Sequence, residues 1–443
     1  MILNTDNALQ FIEKVNTALS GASISQRLDD TMDANDVIST LNNVFSSYQG
    51  RVELTSSMDA EDVILAVNQN ISLLGGGRNS VKFLHISDVH NSANADAITQ
   101  CKSLLDSDNT LEFAFLTGDY SGYNGSYSNV TTALQSLGQK ILMLNGNHDV
   151  YDGFSNNQRN ATQFLKSIVV NSDVHWGDTN GVASYYYRDV ILSSTSKLRI
   201  ISVDSYDYRL VTGSKYDTIY TQEQVDWVVA RMMELRSTDY LIIAMHEPPV
   251  NASTIDYSYN VSGKMDDDIV ALRRSNPFCS ARLWVWDTSL SNGNLFPAIV
   301  NAYQNRLLMS TDIPNKDSVT GEMLSYIHCT YDFRSIQPAA FLFYIGGHLH
   351  GDFAEYHPTY QNQLILLVDC ANSSTLGNSS DIGARVSDTA NGSRGNGILI
   401  NEVTIDFANR ETRISRIGQN AALSYNGFPS ITRTNITFPF VKS

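Results

Sequence analysis

Short apolar runs bounded by polar and glycine-rich stretches dominate the chain beyond residue 78. Residues 81–87, Val-Lys-Phe-Leu-His-Ile-Ser, are mostly apolar and predict a strand. Further buried strands are predicted at 111–116, 141–144, 198–203, 240–244, 341–345 and 364–368. Helical spacing falls between several of them, at 95–105 and 222–235. Strands alternating with helices predict an α/β class. Residues 397–417 alternate strongly, with Ile398, Ile400, Val403 and Ile405 as apolar members, and predict paired strands. Residues 418–443 are polar and predict a tail or edge structure.

The first 74 residues follow a different pattern. Met32-Asp33-Ala34-Asn35-Asp36-Val37-Ile38 returns as Met58-Asp59-Ala60-Glu61-Asp62-Val63-Ile64, and Thr5, Ala8 and Asn16 match Thr31, Ala34 and Asn42, a spacing of 26 residues. Within a unit the apolar residues fall at helical spacing (Val37, Ile38, Leu41, Phe45), and Thr or Ser with Asp at the start supplies helix-capping chemistry. Each unit reads as one short helix and a polar or extended return. Units this small must pack on each other, on the main domain or on other subunits. The last case would make the chain a homo-oligomer, and the repeats resemble short helical repeats of bacteriophage tail and virion proteins. Gly75-Gly76-Gly77 breaks the pattern as a linker. The expected organisation is therefore 1–77 as three helical repeats, 78–417 as the main domain with 250–340 as a lid or insert, and 418–443 as the tail.

Composition narrows the partners. The 443 residues include 30 Lys+Arg and 46 Asp+Glu, a formal charge of −16. This balance argues against a protein held on nucleic acid by its overall field, although a bound metal can reverse the local sign. Cys101, Cys279, Cys329 and Cys370 lie far apart without a Cys-x-x-Cys pair, which suits a reducing compartment better than a disulfide scaffold. No apolar run reaches the roughly 18 residues of a membrane span, and the first residues lack the features of a secretory signal. The expected location is cytoplasmic or virion-associated.

The chemistry is concentrated where the strands end. Ser87-Asp88-Val89-His90 follows the first strand, Thr117-Gly118-Asp119 the second, and Asn145-Gly146-Asn147-His148-Asp149 the third. Met245-His246-Glu247-Pro248-Pro249 and Gly346-Gly347-His348-Leu349-His350 follow two later ones. In open α/β sheets, ligands bind beyond the carboxyl ends of strands, so five ends can deliver oxygen and nitrogen donors to one place. Gly118, Gly146 and Gly347 permit sharp turns at crowded ends. Imidazole with carboxylate suits Zn, Fe, Mn or Ni without selecting one, and the absence of cysteine argues against a structural zinc cage. His85, His175, His328 and His357 have no such context and read as packing or surface histidines.

The ordered series Asp88-x-His90, Gly118-Asp119, Gly146-Asn147-His148-Asp149, His246 and Gly347-His348-x-His350 resembles the calcineurin-like metallophosphoesterases over residues 81–410. The resemblance implies a β-sandwich of two mixed sheets flanked by helices. It also implies a two-metal phosphoester hydrolase using Mn, Fe or Zn. One ion would take Asp88, His90, Asp119 and His350; the other would take Asp119, Asn147, His246 and His348. Asp119 would bridge them, its two oxygens binding separate cations. Two cations about 3.5–4 Å apart lower the pKa of a bridging water and polarise the phosphoryl oxygens. His148 is then the general acid that protonates the leaving group. Asp149 either orients that imidazole or caps backbone N–H groups in the turn. Asp204 is a candidate for supporting the ligands from behind.

A small phosphoester substrate follows. The Asp-x-His, His-Glu-Pro-Pro and Gln222-to-Trp227 features look most like members acting on small phosphodiesters. A phosphomonoesterase or nucleotidase is the alternative, as is a virion- or surface-attached hydrolase with a mainly structural N-terminal region. Residues 120–124 are expected to border the mouth of the site, and Trp284 and Trp286 belong to the segment expected to wall it.

Overall fold

The computed structural model describes residues 8–21, 27–29, 31–45, 52–74, 78–90, 95–121, 127–150, 155–177, 184–193, 195–207, 220–247, 249, 292–316, 323–348, 353–357, 360, 362–368, 387–388, 393–394, 399–418 and 435–439. The expected linker at Gly75-Gly76-Gly77, His350, Trp284, Trp286, Cys279 and Cys370 lie outside these residues.

Three helices come first: α1 (Ala8–Gly21), α2 (Ala34–Phe45) and α3 (Ala60–Leu74). The repeat has a hydrogen-bonded cause. Asp33 Oδ1 accepts the Asp36 N–H and Asp59 Oδ1 accepts the Asp62 N–H, both at 2.9 Å, so the same aspartate caps the second and third units. Asn16 clasps both backbone groups of Leu28, donating to its carbonyl at 2.7 Å and accepting its N–H at 2.8 Å. Asn42 does the same to Leu54, one repeat later. Asn70 clasps Val52 and ties the third helix to the second return. The extended returns would otherwise leave these groups unpaired, and the side chains supply what a neighbouring strand would. Val15, Leu19, Leu28, Leu41, Phe45, Leu54 and Val67 close over one another as a separate small core. Helix α3 packs against a strand of the main sandwich, and the Arg78 N–H donates to the Leu192 carbonyl.

The main domain begins with β1 (Ser80–Ile86), α4 (Asp96–Ser107), β2 (Leu111–Leu116), α5 (Thr131–Ser136), β3 (Ile141–Met143) and α6 (Ser155–Ile168). It continues with β4 (Val174–Trp176), β5 (Tyr186–Ser193), β6 (Ser196–Ser202), α7 (Gln222–Met233), β7 (Tyr240–Ala244) and α8 (Asn292–Gln304). Then follow β8 (Leu308–Lys316), β9 (Met323–Asp332), β10 (Ala340–Gly346), β11 (Phe353–Tyr356), β12 (Leu364–Leu367), β13 (Ser387–Asp388) and β14 (Ser393–Arg394). The last strands are β15 (Leu399–Asp406), β16 (Glu411–Gly418) and β17 (Asn435–Pro439).

These strands form two mixed sheets flanked by helices. A six-stranded sheet has the order β17-β16-β15-β1-β2-β3, and a seven-stranded sheet has the order β11-β12-β10-β7-β6-β5-β4. Strands β1, β2 and β3 are parallel in the first, and β6, β7, β10 and β12 are parallel in the second. The polar C-terminal region supplies β17, an edge strand of the six-stranded sheet.

Near-continuous apolar runs are what a strand buried on both faces requires. In β6 and β7, Leu198, Ile200, Tyr240, Ile242 and Ala244 face the core shared with β1, β2, β3 and β15. Their alternates Ile201, Leu241 and Ile243 join a second core with Val225, Val228, Met232, Ile299 and Tyr303 of α7 and α8. The described part of the expected lid, α8 with the β8–β9 hairpin, packs into this second core, on the side of the seven-stranded sheet away from the sandwich interior. Residues 250–291 and 317–322 of the expected lid lie outside the described ones.

Replacing Asn42 by Ala removes both bonds to Leu54 and leaves two half-buried backbone groups to find water. We expect a loss of about 1–3 kcal/mol from the N-terminal helices, read as a lower urea midpoint by circular dichroism. An unchanged midpoint would show that the clasp adds nothing.

Candidate metal centre

Strands β1, β2 and β3 run parallel in one sheet and β7 and β10 in the other, and their carboxyl ends meet where His246 reaches the Thr117 carbonyl and the His348 N–H reaches Asp88. Backbone bonds then knit the ends together. The Asp88 N–H donates to the Gly118 carbonyl, the His90 N–H to Asp119, the Leu144 N–H to Leu116, and the Gly347 N–H to His246, at 2.9–3.1 Å. The chain must curl tightly to do this. Among the described residues, seven non-glycines have positive φ, and four of them are Asp88 (54°), His90 (44°), Asp119 (53°) and His348 (68°). Left-handed backbone at a non-glycine costs about 1–3 kcal/mol and persists where surrounding structure enforces it, typically at functional sites. Gly118, at φ 100°, makes the turn that precedes Asp119. Gly347 serves closeness instead: a Cβ there would overlap Ser87 Oγ.

The side chains meet at Asp119. Its Oδ2 lies 3.4 Å from His246 Nε2, 3.8 Å from His148 Nε2 and 4.0 Å from His90 Nε2. Its Oδ1 accepts the His148 backbone N–H at 2.8 Å. Oδ1 is thus held by the backbone, while Oδ2 faces the three imidazoles. Asn147 Oδ1 lies 3.1 Å from both His246 Nε2 and His348 Nδ1. Asp88 Oδ2 accepts the His348 N–H at 3.0 Å, and its Oδ1 is 3.9 Å from His90 Nε2. His246 donates from Nδ1 to the Thr117 carbonyl at 2.7 Å, which turns Nε2 toward the centre.

Two overlapping triads, His90–Asp119–His148 and Asp88–Asp119–His246, have donor atoms within 4.8 Å of one another. All five residues are buried. Burial alone would raise the Asp119 pKa, yet His246, His148 and His90 hold it well below the usual carboxylate range. Burial opposes a charge on His246 too, but Asp119 pushes it up to about 10. Negative charge sealed from water and attracting whatever positive charge is near is the electrostatics of a cation site. A shared carboxylate oxygen flanked by imidazole nitrogens and an amide oxygen fits two transition-metal ions. Six of the seven expected ligands come together here: Asp88, His90, Asp119, Asn147, His246 and His348. The seventh, His350, lies outside the described residues.

Asp149 sits differently from the orienting role. Its Oδ2 accepts the N–H groups of Asp119 at 2.8 Å and Gly146 at 2.6 Å, and its Oδ1 accepts that of Ser121 at 2.8 Å. It is the turn carboxylate that locks the β2 and β3 loops together. Burial, and then repulsion by Asp119, push its pKa up to about 8 against those N–H donors. Asp204 likewise serves backbone, accepting from Ser184 and Tyr206 at 3.1 Å. Tyr120, expected at the mouth, is buried and donates to Asn145 Oδ1 at 2.9 Å; residues 122–126 lie outside the described ones. His85 is 3.0 Å from Thr117 Oγ1 inside the core, His175 stacks on Tyr187, His328 is exposed beside Asp312, and His357 is buried away from the centre. Glu247, directly after His246, is wholly buried and carries no role in the sequence pattern. Its place directly behind a strand-end histidine was the available signal.

Residues 81–282 match the family model described as calcineurin-like phosphoesterase. Among solved structures, the chain is similar to a dimetal phosphatase from Danio rerio, with 10% identity over 81% of this chain and 99% of that one, at a TM-score of 0.41. It is also similar to GAP50, the anchor in the inner membrane complex of Plasmodium, at 10% identity, 81% and 90% coverage and a TM-score of 0.38. A third is the phosphopantetheinyl hydrolase from Mycobacterium tuberculosis, at 12% identity, 65% and 89% coverage and a TM-score of 0.32. No curated protein matches the chain.

Asp149→Ala should free three buried N–H groups around Asp119 and so lower metal content as well as turnover. Elemental analysis of the purified variant checks this. Full metal content with slow turnover would instead restore Asp149 to the orienting role.

Proposed function

We propose that the chain is a calcineurin-like, metal-dependent phosphoesterase that hydrolyses small phosphodiesters with His148 as general acid. The observation that carries this reading is the meeting of strand-end ligands around Asp119 Oδ2, with the His148 ring beside them at 3.8 Å.

Asp88, His90 and Asp119 would hold one ion, with His350 by sequence pattern; Asp119, Asn147, His246 and His348 would hold the other. When bound, such ions activate water at neutral pH and withdraw charge from the phosphoryl oxygens. The protein does the rest. His148 is fixed from two sides: its N–H donates to Asp119 Oδ1, and its carbonyl accepts from Ser121 Oγ at 2.7 Å. Its ring stands edge-on to His90, centroids 4.7 Å apart. An imidazole so placed delivers a proton to the departing alkoxide from a pre-set position. Asp149 keeps the two loops in register and makes that placement reproducible.

The diester preference rests on the Asp88-x-His90, His246-Glu247-Pro248-Pro249 and Gln222-to-Trp227 features of the sequence.

Protein loaded with Mn or Zn should cleave bis(p-nitrophenyl) phosphate with higher kcat/KM than p-nitrophenyl phosphate. The reverse order would overturn the diester preference, and silence on both esters with metals bound would overturn the hydrolase. His148→Ala should cut turnover by about 10²–10⁴ at unchanged metal content. Loss of metal in that variant would make His148 a ligand, since it lies within a triad able to hold an ion.

A further inference from the structure

A buried carboxylate stands behind the centre with no part in the chemistry described so far. Glu247 follows His246 at the end of β7, and its side chain is 0% exposed. Taking an ionised carboxylate out of water costs several kcal/mol unless partners compensate. One partner is Tyr206, also wholly buried, whose O–H donates to Glu247 Oε1 at 2.6 Å. The same oxygen lies 3.8 Å from His348 Nε2. His348 therefore presents its two ring nitrogens to two different surroundings: Nδ1 to Asn147 Oδ1 at 3.1 Å, within the centre, and Nε2 to Glu247 behind it.

The main chain fixes this arrangement. Neighbouring strands β7 and β10 are tied past their ends by the Met245 N–H on the Ile345 carbonyl and the Gly347 N–H on the His246 carbonyl, both at 3.0 Å. Glu247 and His348 are thus the next residues out on adjacent strands. Tyr206 is held in turn: its N–H donates to Asp204 Oδ1, while the Asp204 N–H donates to Gln224 Oε1 at 2.7 Å and Gln224 Nε2 returns to the Asp204 carbonyl at 3.1 Å. The start of α7 thereby anchors a chain that runs Gln224, Tyr206, Glu247, His348. It explains why a helix on the outer face of the sheet bears on a centre at the sheet's end.

The geometry points to Glu247 as the positioning residue for His348. It takes the Nε2 side of the imidazole, leaves Nδ1 for the ion shared with Asn147 and His246, and is itself aimed by Tyr206. Metal-bound histidines characteristically give their second nitrogen to a carboxylate, and loss of that partner costs 10–100-fold in metal affinity or activity. Asp149, by contrast, acts on backbone and serves both halves of the centre. The inference rests on the two-metal reading above and makes a site-selective demand that reading does not.

Metal affinity separates the two. Wild-type protein, titrated with Zn against a fluorescent chelator, should bind two equivalents. Glu247→Ala should weaken one equivalent by about 10–100-fold and leave the other unchanged. Tyr206→Phe should weaken the same equivalent by less, and Glu247→Gln, which keeps an acceptor oxygen, should recover part of the loss. In a His348→Ala background, Glu247→Ala should add nothing to the loss already made. Additive losses in that background, equal weakening of both equivalents, or wild-type affinity in both Glu247 variants would overturn the inference. Should Glu247→Ala fail to fold, Glu247→Gln and Tyr206→Phe decide it by the same reading. A wild-type protein that binds no metal would refute the two-metal reading instead.

Discussion

A single carboxylate oxygen, Asp119 Oδ2, sealed from water among three imidazoles, is the constraint around which the domain is arranged. Isolated, such a charge would be untenable in an apolar interior. Here the other oxygen is held by the His148 N–H and the Asp119 N–H by Asp149, so the side chain has little freedom to turn away. Asp88, His90, Asp119 and His348 occupy left-handed backbone, each costing about 1–3 kcal/mol. Strain of this kind survives because two apolar cores hold the strands from both faces.

The sandwich supplies rigidity in a directed way. Parallel strands bring their carboxyl ends to one edge, and the bonds between those ends pass from β1 to β2 and from β7 to β10. Asp88, His90, Asp119, Asn147, His246 and His348 all lie within four residues of the end of a buried strand. Loops so short have little conformational freedom to lose on binding cations, which favours a centre formed before metal arrives. The outer helices extend the same logic, since α7 reaches His348 through Gln224, Tyr206 and Glu247.

Much of this was legible in the residues because the strongest signals were local. Apolar runs of five to seven residues identified β1, β2, β6, β7, β10 and β12, and the alternation after residue 397 identified β15 and β16. Histidine and carboxylate residues directly behind those runs located the candidate centre, since a strand's end is fixed once the strand is. What escaped was set by tertiary contact. The position of Asp149 against three N–H groups depends on how two loops, 30 residues apart, are stacked. That Tyr120 is buried depends on Phe164 and Tyr127 packing around it. The β8–β9 hairpin joins its strands across a turn without a clear sequence signal, and its packing against α7 and α8 is decided in space. The N-terminal asparagines were visible as repeat positions, but their clasp on a backbone 12 residues away was not.

The central claim is that Asp119 Oδ2 is the shared point of two cation sites. Crystals soaked in Mn and measured for anomalous scattering test it most directly. Two peaks about 3.5–4 Å apart, both in coordination distance of that oxygen, with Asn147, His246 and His348 around one and Asp88 and His90 around the other, are the predicted result. A lone peak, or ions seated away from Asp119, would contradict the account.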